Sequence, residues 1–327
     1  ARVMVNRIWL YHFGQAIAGN PNNFGATGKK PTHPELLDWL AAEFIRSSWS
    51  VKHMHRIIMQ SAVYRQSGEH PQADLVLQRD PQRQLYASFP PRRLTAEEIR
   101  DAMLAVSGEL NPAAGGIPVR PDMNPEAALQ PRMIMGTFAP AYVPNARPAD
   151  RNRRTIYALK LRGQRDPLLE TFNQPGSEKS CELRDASTIS PQALTLLNGE
   201  ETNDRALAFA ADVLKRTTTE EAAVTEIFRR AYGRPPDPEE SQATLQHWHQ
   251  MERVQAAIKY QPREYPITVA RQAVEENTGE PFTFTERLFE FEDYIHDLQP
   301  NETDARTRAL ADVCLAVLNS NEFVFTD

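Results

Sequence analysis

The run Thr32-His33-Pro34-Glu35-Leu36-Leu37-Asp38-Trp39-Leu40-Ala41-Ala42-Glu43-Phe44 decides the fold class. A Thr followed three residues later by Glu is the signature of a capping box, in which each side chain satisfies a backbone donor left open at a helix start. Leu36, Leu37, Leu40 and Phe44 then recur at the spacing that places them on one helical face. The same pattern repeats along the chain. Met54, Ile57, Ile58 and Ser61 form the next stripe, and Thr95 with Glu98 makes a second box ahead of Ile99, Ala102, Met103, Val106 and Leu110. Ser190-Pro191 reads as the cap and first turn of a helix ending at Asn198-Gly199. Thr218 and Glu221 open a helix that carries Val224, Ile227 and Phe228 and stops at Gly233 and Pro235. Asp237, Pro238 and Glu240 open another, and Leu310, Val313, Cys314 and Val317 form the last stripe. The predicted fold is mainly α, a multi-helix bundle in two helical lobes.

Residues 111–150 interrupt this pattern. Eight of the 25 prolines fall there, with Gly115-Gly116 near the start. Proline removes backbone donors and fixes φ, which excludes a helix. The stretch is expected to be a long connecting segment with a short β-hairpin, its strands near Met133-Ile134-Met135 and Arg154-Thr155-Ile156-Tyr157-Ala158-Leu159. The expected organisation is an N-terminal lobe over 1–110, the connecting segment 111–150 and a C-terminal lobe over 151–327, together one compact domain.

Composition sets bounds on function. The 327 residues suffice for a core without metal or disulfide staples. A formal charge of −6 does not point to nucleic acid, and no 18-residue apolar run suggests a membrane span. Two cysteines, Cys181 and Cys314, are too few for a disulfide scaffold, and no C-x-x-C or C-x-x-C-H offers a zinc-ribbon or haem-attachment motif. No cofactor is expected in this segment. Ala1-Arg2-Val3-Met4-Val5-Asn6-Arg7-Ile8-Trp9 reads as a helix already under way. The sequence is therefore expected to begin inside a longer polypeptide, with any targeting signal upstream.

Several blocks carry a family resemblance. They are Arg2-Val3-Met4-Val5-Asn6-Arg7-Ile8-Trp9 with His12-Phe13-Gly14, the His33-to-Ala41 run, Trp49-Ser50-Val51-Lys52 through Tyr64-Arg65-Gln66, and Arg92-Arg93-Leu94-Thr95-Ala96-Glu97-Glu98-Ile99. Arg153-Arg154-Thr155-Ile156-Tyr157, Ser180-Cys181, Pro191-Gln192-Ala193-Leu194 and Leu318-Asn319-Ser320-Asn321-Glu322-Phe323 complete the set. In these blocks the chain resembles the planctomycete domain of unknown function 1553, which follows a cytochrome-c-like module. The resemblance implies a secreted or cell-envelope protein, with haem on an upstream domain and that domain as a partner. It supplies no catalytic residues.

Candidate chemistry begins with the segment 151–184, where Arg151, Arg153, Arg154, Lys160, Arg162, Arg165, Lys179 and Arg184 face only Asp166, Glu170, Glu178 and Glu182. Guanidinium groups pair bidentately with carboxylate, sulfate or phosphate. Arg153, Arg154 and Arg184, with Cys181, Ser187 and Thr188, are thus candidate contacts for an anionic polysaccharide. The plainer alternative pairs these arginines with the protein's own acids, which are dense over 271–304. Asn6, Arg7, Trp9, His12, His33 and Asp38 are candidates to line a cleft, although core packing explains the aromatic residues as well. His53/His55 and His247/His249 stand two apart, so neither pair shares a helix face for chelation. Cys181 has no nearby His in sequence to act as its base. P-loop, Rossmann and G-x-S-x-G patterns are absent. The leading expectation is a non-catalytic binding or interaction domain. The rivals are a hydrolase or oxidoreductase acting on polysaccharide, built from His12, His33, His55, Asp38 and Cys181, and a structural domain that docks the upstream cytochrome-like module.

Overall fold

Helix-forming residues bounded by glycine and capping hydroxyls give fourteen α-helices among the residues described by the computed structural model, which are 1–130, 132–134, 137–177, 180–185 and 187–326. By contact these residues gather into two units. One comprises those within 1–93, 180–185 and 325–326; the other comprises those within 94–177 and 187–324.

The first unit holds α1 (Arg2–Phe13), α2 (Pro34–Arg46), α3 (Val51–Gln60) and α4 (Ala73–Arg79). α1 stops at Gly14, whose φ of 70° lies in the left-handed region that glycine adopts without penalty. Val5, Ile8, Trp9 and Phe13 of α1 pack with Leu37, Leu40 and Phe44 of α2 and Met54 and Ile58 of α3. The stripes expected on α2 and α3 are therefore their buried faces. The expected cap at Thr32 is displaced: His33 occupies the N-cap position without a side-chain cap bond. The Thr32 hydroxyl and amide both donate to the carbonyl of Ile17 instead, tying the preceding loop back to the core. A two-residue strand, β1 (Arg92–Arg93), pairs antiparallel with Phe325–Thr326.

The second unit contains the remaining helices. α5 (Ala96–Ser107) has the predicted capping box: the Glu98 backbone amide donates to Thr95 Oγ1, and the Thr95 amide to the Glu98 carboxylate at 2.7 Å. α6 (Pro125–Ala128), α7 (Pro148–Arg151) and α8 (Pro167–Thr171) are single turns, each started by proline. They are followed by α9 (Ser190–Asn198), α10 (Glu200–Arg216), α11 (Glu220–Tyr232), α12 (Pro238–Ala256), α13 (Ala305–Leu318) and α14 (Asn321–Val324). α13 packs against α10 and α12, and α5 packs against α10. Phe209 and Val213 of α10, Val224 and Ile227 of α11, Trp248 of α12, and Leu310 and Cys314 of α13 are fully buried. The box at Asp237 and Glu240 is present at the start of α12. α11 starts one residue later than read, with Thr219 as its cap. In α9 Ser190 lies inside the helix, and the Ile189 amide is capped by the Gln192 side chain.

Strands are few. Arg132–Ile134 pairs antiparallel with Thr137–Ala139, which is the short hairpin expected in the proline-rich segment; Met135 of the predicted strand lies outside the described residues. Residues 154–159 are not a strand of that hairpin. Thr155–Tyr157 forms a 3-10 turn, and Ala158 makes one isolated parallel bridge to Val119. A longer hairpin, Thr268–Val274 with Pro281–Arg287, was not read from the sequence.

Candidate functional site

The expected cleft in the first unit is mostly core and surface. Asn6 is fully buried and clasps the backbone of Ala18, accepting from its amide at 2.8 Å and donating to its carbonyl at 3.0 Å. Trp9 is buried and donates to Tyr86 Oη at 2.7 Å. Arg7 donates to Tyr11 Oη on the helix surface, and Asp38 forms an exposed ion pair with Arg2. His33 contacts the Thr32 hydroxyl. His12 and His55 do meet, with Nε2 and Nδ1 2.8 Å apart beside the Tyr64 ring. Burial, helped by the fields of His55 and Arg92, holds His12 below its ordinary pKa, favouring the neutral ring that can accept in such a pair. Cys181 is an exposed free thiol that donates to the Leu183 carbonyl, and Cys314 is free and buried. Among the described residues no hydrogen bond or ion pair joins Asp38 or Cys181 to a histidine. His53 and His249 pair with Glu43 and Glu220. No group of three or more metal-ligating side chains is placed to hold an ion among the described residues.

The basic segment is largely turned inward. Arg153 is buried, donates to the carbonyls of Ala113, Gly115 and Ile117, and stacks over Tyr157 at 4.4 Å. It staples the glycine-containing loop of the connecting segment rather than offering its donors to a ligand. Arg154 is exposed, with Nε 3.5 Å from Asp101. Ser187 exchanges hydrogen bonds with Asn173, and Thr188 is exposed. Arg184 and Cys181 belong to the first unit, whereas Arg153, Arg154, Ser187 and Thr188 belong to the second. Glu178 and Lys179 lie outside the described residues.

Within the second unit, other residues of that charge-rich sequence build a cavity of about 960 Å³. Its floor rests on three buried arginines. Arg151 is fully enclosed: it donates to the Ala146 and Ile295 carbonyls, pairs with Asp122 at 2.6 Å and Asp297 at 2.8 Å, and lies over the Tyr294 ring at 4.6 Å. Arg205, from α10, pairs with Glu109 at 2.8 Å and with the other oxygen of Asp297. Arg100, from α5, donates to the Arg151 and Arg153 carbonyls, and its Nε lies 3.0 Å from Glu201. Asp297 thus bridges two guanidiniums. At the rim Arg263 grips Asp204 through two hydrogen bonds of 2.8 and 2.6 Å. Asp166 caps α8 by accepting from the Leu168 and Leu169 amides.

Eight carboxylates but only three guanidiniums line the cavity, and Arg100, Arg205 and Arg263 are all paired with acids. The excess of carboxylates in a recess has an electrostatic consequence. Burial raises the pKa values of Asp122, Asp166 and Asp204, and pushes Glu201 up to about 7 against the opposing field of Arg100. Tyr294, whose hydroxyl donates to Asp122 at 2.6 Å, Tyr265, Phe291 and several prolines supply flat walls.

A family model described as PSD1, protein of unknown function (DUF1553), matches residues 1–248. The chain belongs to this family. No curated protein and no solved structure shows significant similarity to it. The PSD1 match includes Arg100, Asp166, Glu201 and Arg205 of the cavity, whereas Arg263, Tyr294 and Asp297 lie beyond it. Sequence reading passed over Arg100, Glu201 and Arg205. Their one local signal is the i, i+4 acid–base pair Glu201/Arg205 at the start of α10; the rest depends on which distant segments meet.

Proposed function

We propose that this PSD1 chain is a binding module whose pocket is the cavity of its second unit, and that the ligand is a neutral saccharide. One observation carries the reading: a recess of about 960 Å³ lined by eight carboxylates whose three arginines are already paired. Carboxylates accept from hydroxyl donors, which a sugar offers on several of its carbons, and aromatic and proline walls suit the apolar faces of sugar rings. The volume lies at the upper end of the range for ligand pockets. An anionic polysaccharide meets an unfavourable field here, because the paired arginines leave the carboxylates in excess. With it we propose secretion and carriage behind a cytochrome-like module, which the family resemblance suggests and which suit a pocket module on a longer envelope protein.

The test is a thermal-shift and calorimetric panel of neutral tetraoses (cellotetraose, chitotetraose and xylotetraose), uronate oligomers and sulfated oligomers. A ligand at a hundred times its Kd adds about 2.7 kcal/mol of stability, which such a scan resolves. A shift with one of the neutral tetraoses and none with the anionic oligomers is the expected result. A shift confined to the anionic oligomers would overturn the reading.

A further inference from the structure

We propose that the first turn of α10 is the donor end of this cavity, where Thr202 and the open amides of the turn receive an uncharged acceptor oxygen of the saccharide. The proposal rests on the pocket reading above and adds where in the pocket the ligand is oriented. Its acceptor is a ring hydroxyl or an acetamido carbonyl.

Thr202 lines the cavity, is 1% exposed, and its hydroxyl has no hydrogen-bond partner in the protein. A buried hydroxyl is normally paired, since leaving it unpaired carries a desolvation penalty. It sits in the first turn of a seventeen-residue helix whose N-cap residue is Gly199, with no side-chain cap. A helix start leaves backbone donors unsatisfied, and the usual Ser, Thr or Asp at the cap is sterically barred here. A Cβ on Gly199 would stand 2.3 Å from the Thr195 carbonyl oxygen, which already accepts from the Gly199 amide at 2.8 Å. The close succession of α9 and α10 therefore requires glycine and leaves the turn uncapped. Asn198, Gly199, Glu200 and Glu201 line the cavity beside Thr202. The carboxylates of Glu200 and Glu201 make this end unsuitable for a full negative charge, so a neutral oxygen is the fitting acceptor. Elsewhere the cavity offers mainly acceptors, and the α10 turn supplies the complementary donors that set the ligand's direction.

The experiment compares wild type, Thr202→Val and Thr202→Ser in the full chain by calorimetry with cellotetraose and chitotetraose. Valine keeps the shape and removes the hydroxyl. Binding is expected to weaken about fivefold in Thr202→Val, the equivalent of the roughly 1 kcal/mol of one neutral hydrogen bond. Its Tm should stay the same or rise, because an unpaired buried hydroxyl is removed, and Thr202→Ser should bind like wild type. Binding of chitotetraose alone would mark the acceptor as the acetamido carbonyl, and binding of cellotetraose as a hydroxyl. As a measurement independent of the variants, hydrogen exchange at the Glu200–Thr202 amides should slow in the presence of the bound tetraose. Wild type that binds a tetraose equally well as Thr202→Val, with no added protection at those amides, overturns the donor-end proposal and leaves the pocket reading standing. Wild type that binds neither sugar, nor xylotetraose, overturns both.

Discussion

Asn6 and Arg153 are buried polar residues that act on backbone rather than on ligand. The two bonds from Asn6 to Ala18 satisfy a donor and an acceptor in a loop that would otherwise be buried open. Asn6→Leu removes both partners at once, and it is expected to lower unfolding stability by roughly 2–3 kcal/mol, the cost of leaving such groups unsatisfied. Urea denaturation measures this; a loss under about 0.5 kcal/mol, the size of an ordinary surface substitution, would refute it. Arg153→Met should likewise destabilise the second unit by roughly 2–3 kcal/mol, because charge-assisted bonds to buried carbonyls are lost, while saccharide affinity stays unchanged. The sequence shows a cationic run, and cations are read most readily as anion contacts. What it does not show is that Gly115-Gly116, 38 residues away along the chain, brings carbonyls to Arg153. In the same way Trp9 and Asn6 look like cleft residues only while their packing is unknown.

At the scale of elements, local chemistry was legible wherever it is self-contained. The Thr95/Glu98 box and the helix start at Asp237-Pro238-Glu240 are legible because each is closed within four residues. Thr95→Ala is expected to cost about 1 kcal/mol, the usual value of a lost N-cap. Thr32→Ala should cost less, since Thr32 does not cap α2 and its amide bond to Ile17 survives the change. Equal losses for the two variants in thermal unfolding would contradict this assignment. The Thr32 reading failed because a long-range partner, Ile17, competes for the hydroxyl that the pattern assigned to the helix. The hairpin Thr268–Val274 with Pro281–Arg287 was missed although its signal is present. Phe282-Thr283-Phe284-Thr285 alternates with period two, and Thr278-Gly279 stands in the turn, where Gly279 has φ 75°. Helical periodicity dominates this chain, and a strand pattern rich in charge has the composition of an acidic surface. The single-turn helices α6, α7 and α8 are likewise too short for periodicity to declare them.

The whole molecule combines two units whose titrating groups act in opposite senses, and neither sense is legible from the sequence because each arises from burial. In the second unit Glu201 moves from 4.5 to about 7, and Asp122, Asp166, Asp204 and Glu109 also rise, all chiefly through burial. A carboxyl with a raised folded pKa binds its proton more tightly in the native state than in the unfolded one. Its contribution is complete below the unfolded value near 4.5 and is lost as pH rises through the folded value near 7. The surface carboxylates that shift downward, such as the half-buried Glu240, act below 4.5 and so outside this window. In the first unit His12 lies below its ordinary 6.5, so the unfolded chain binds the proton more readily. That contribution is complete above 6.5 and is lost as pH falls beneath it. Between about pH 5 and pH 7 the second unit is therefore expected to lose stability as pH rises, while the first gains it. Hydrogen exchange followed separately in α1–α3 and in α5, α10 and α13 at pH 5 and 7.5 resolves the two responses. Glu201→Gln, uncharged throughout, should flatten the response of the second unit and leave that of the first intact, and His12→Gln should do the reverse. If both units shift in the same direction, or if Glu201→Gln leaves the slope of the second unit unchanged, burial at Glu201 is not the source of the second unit's response.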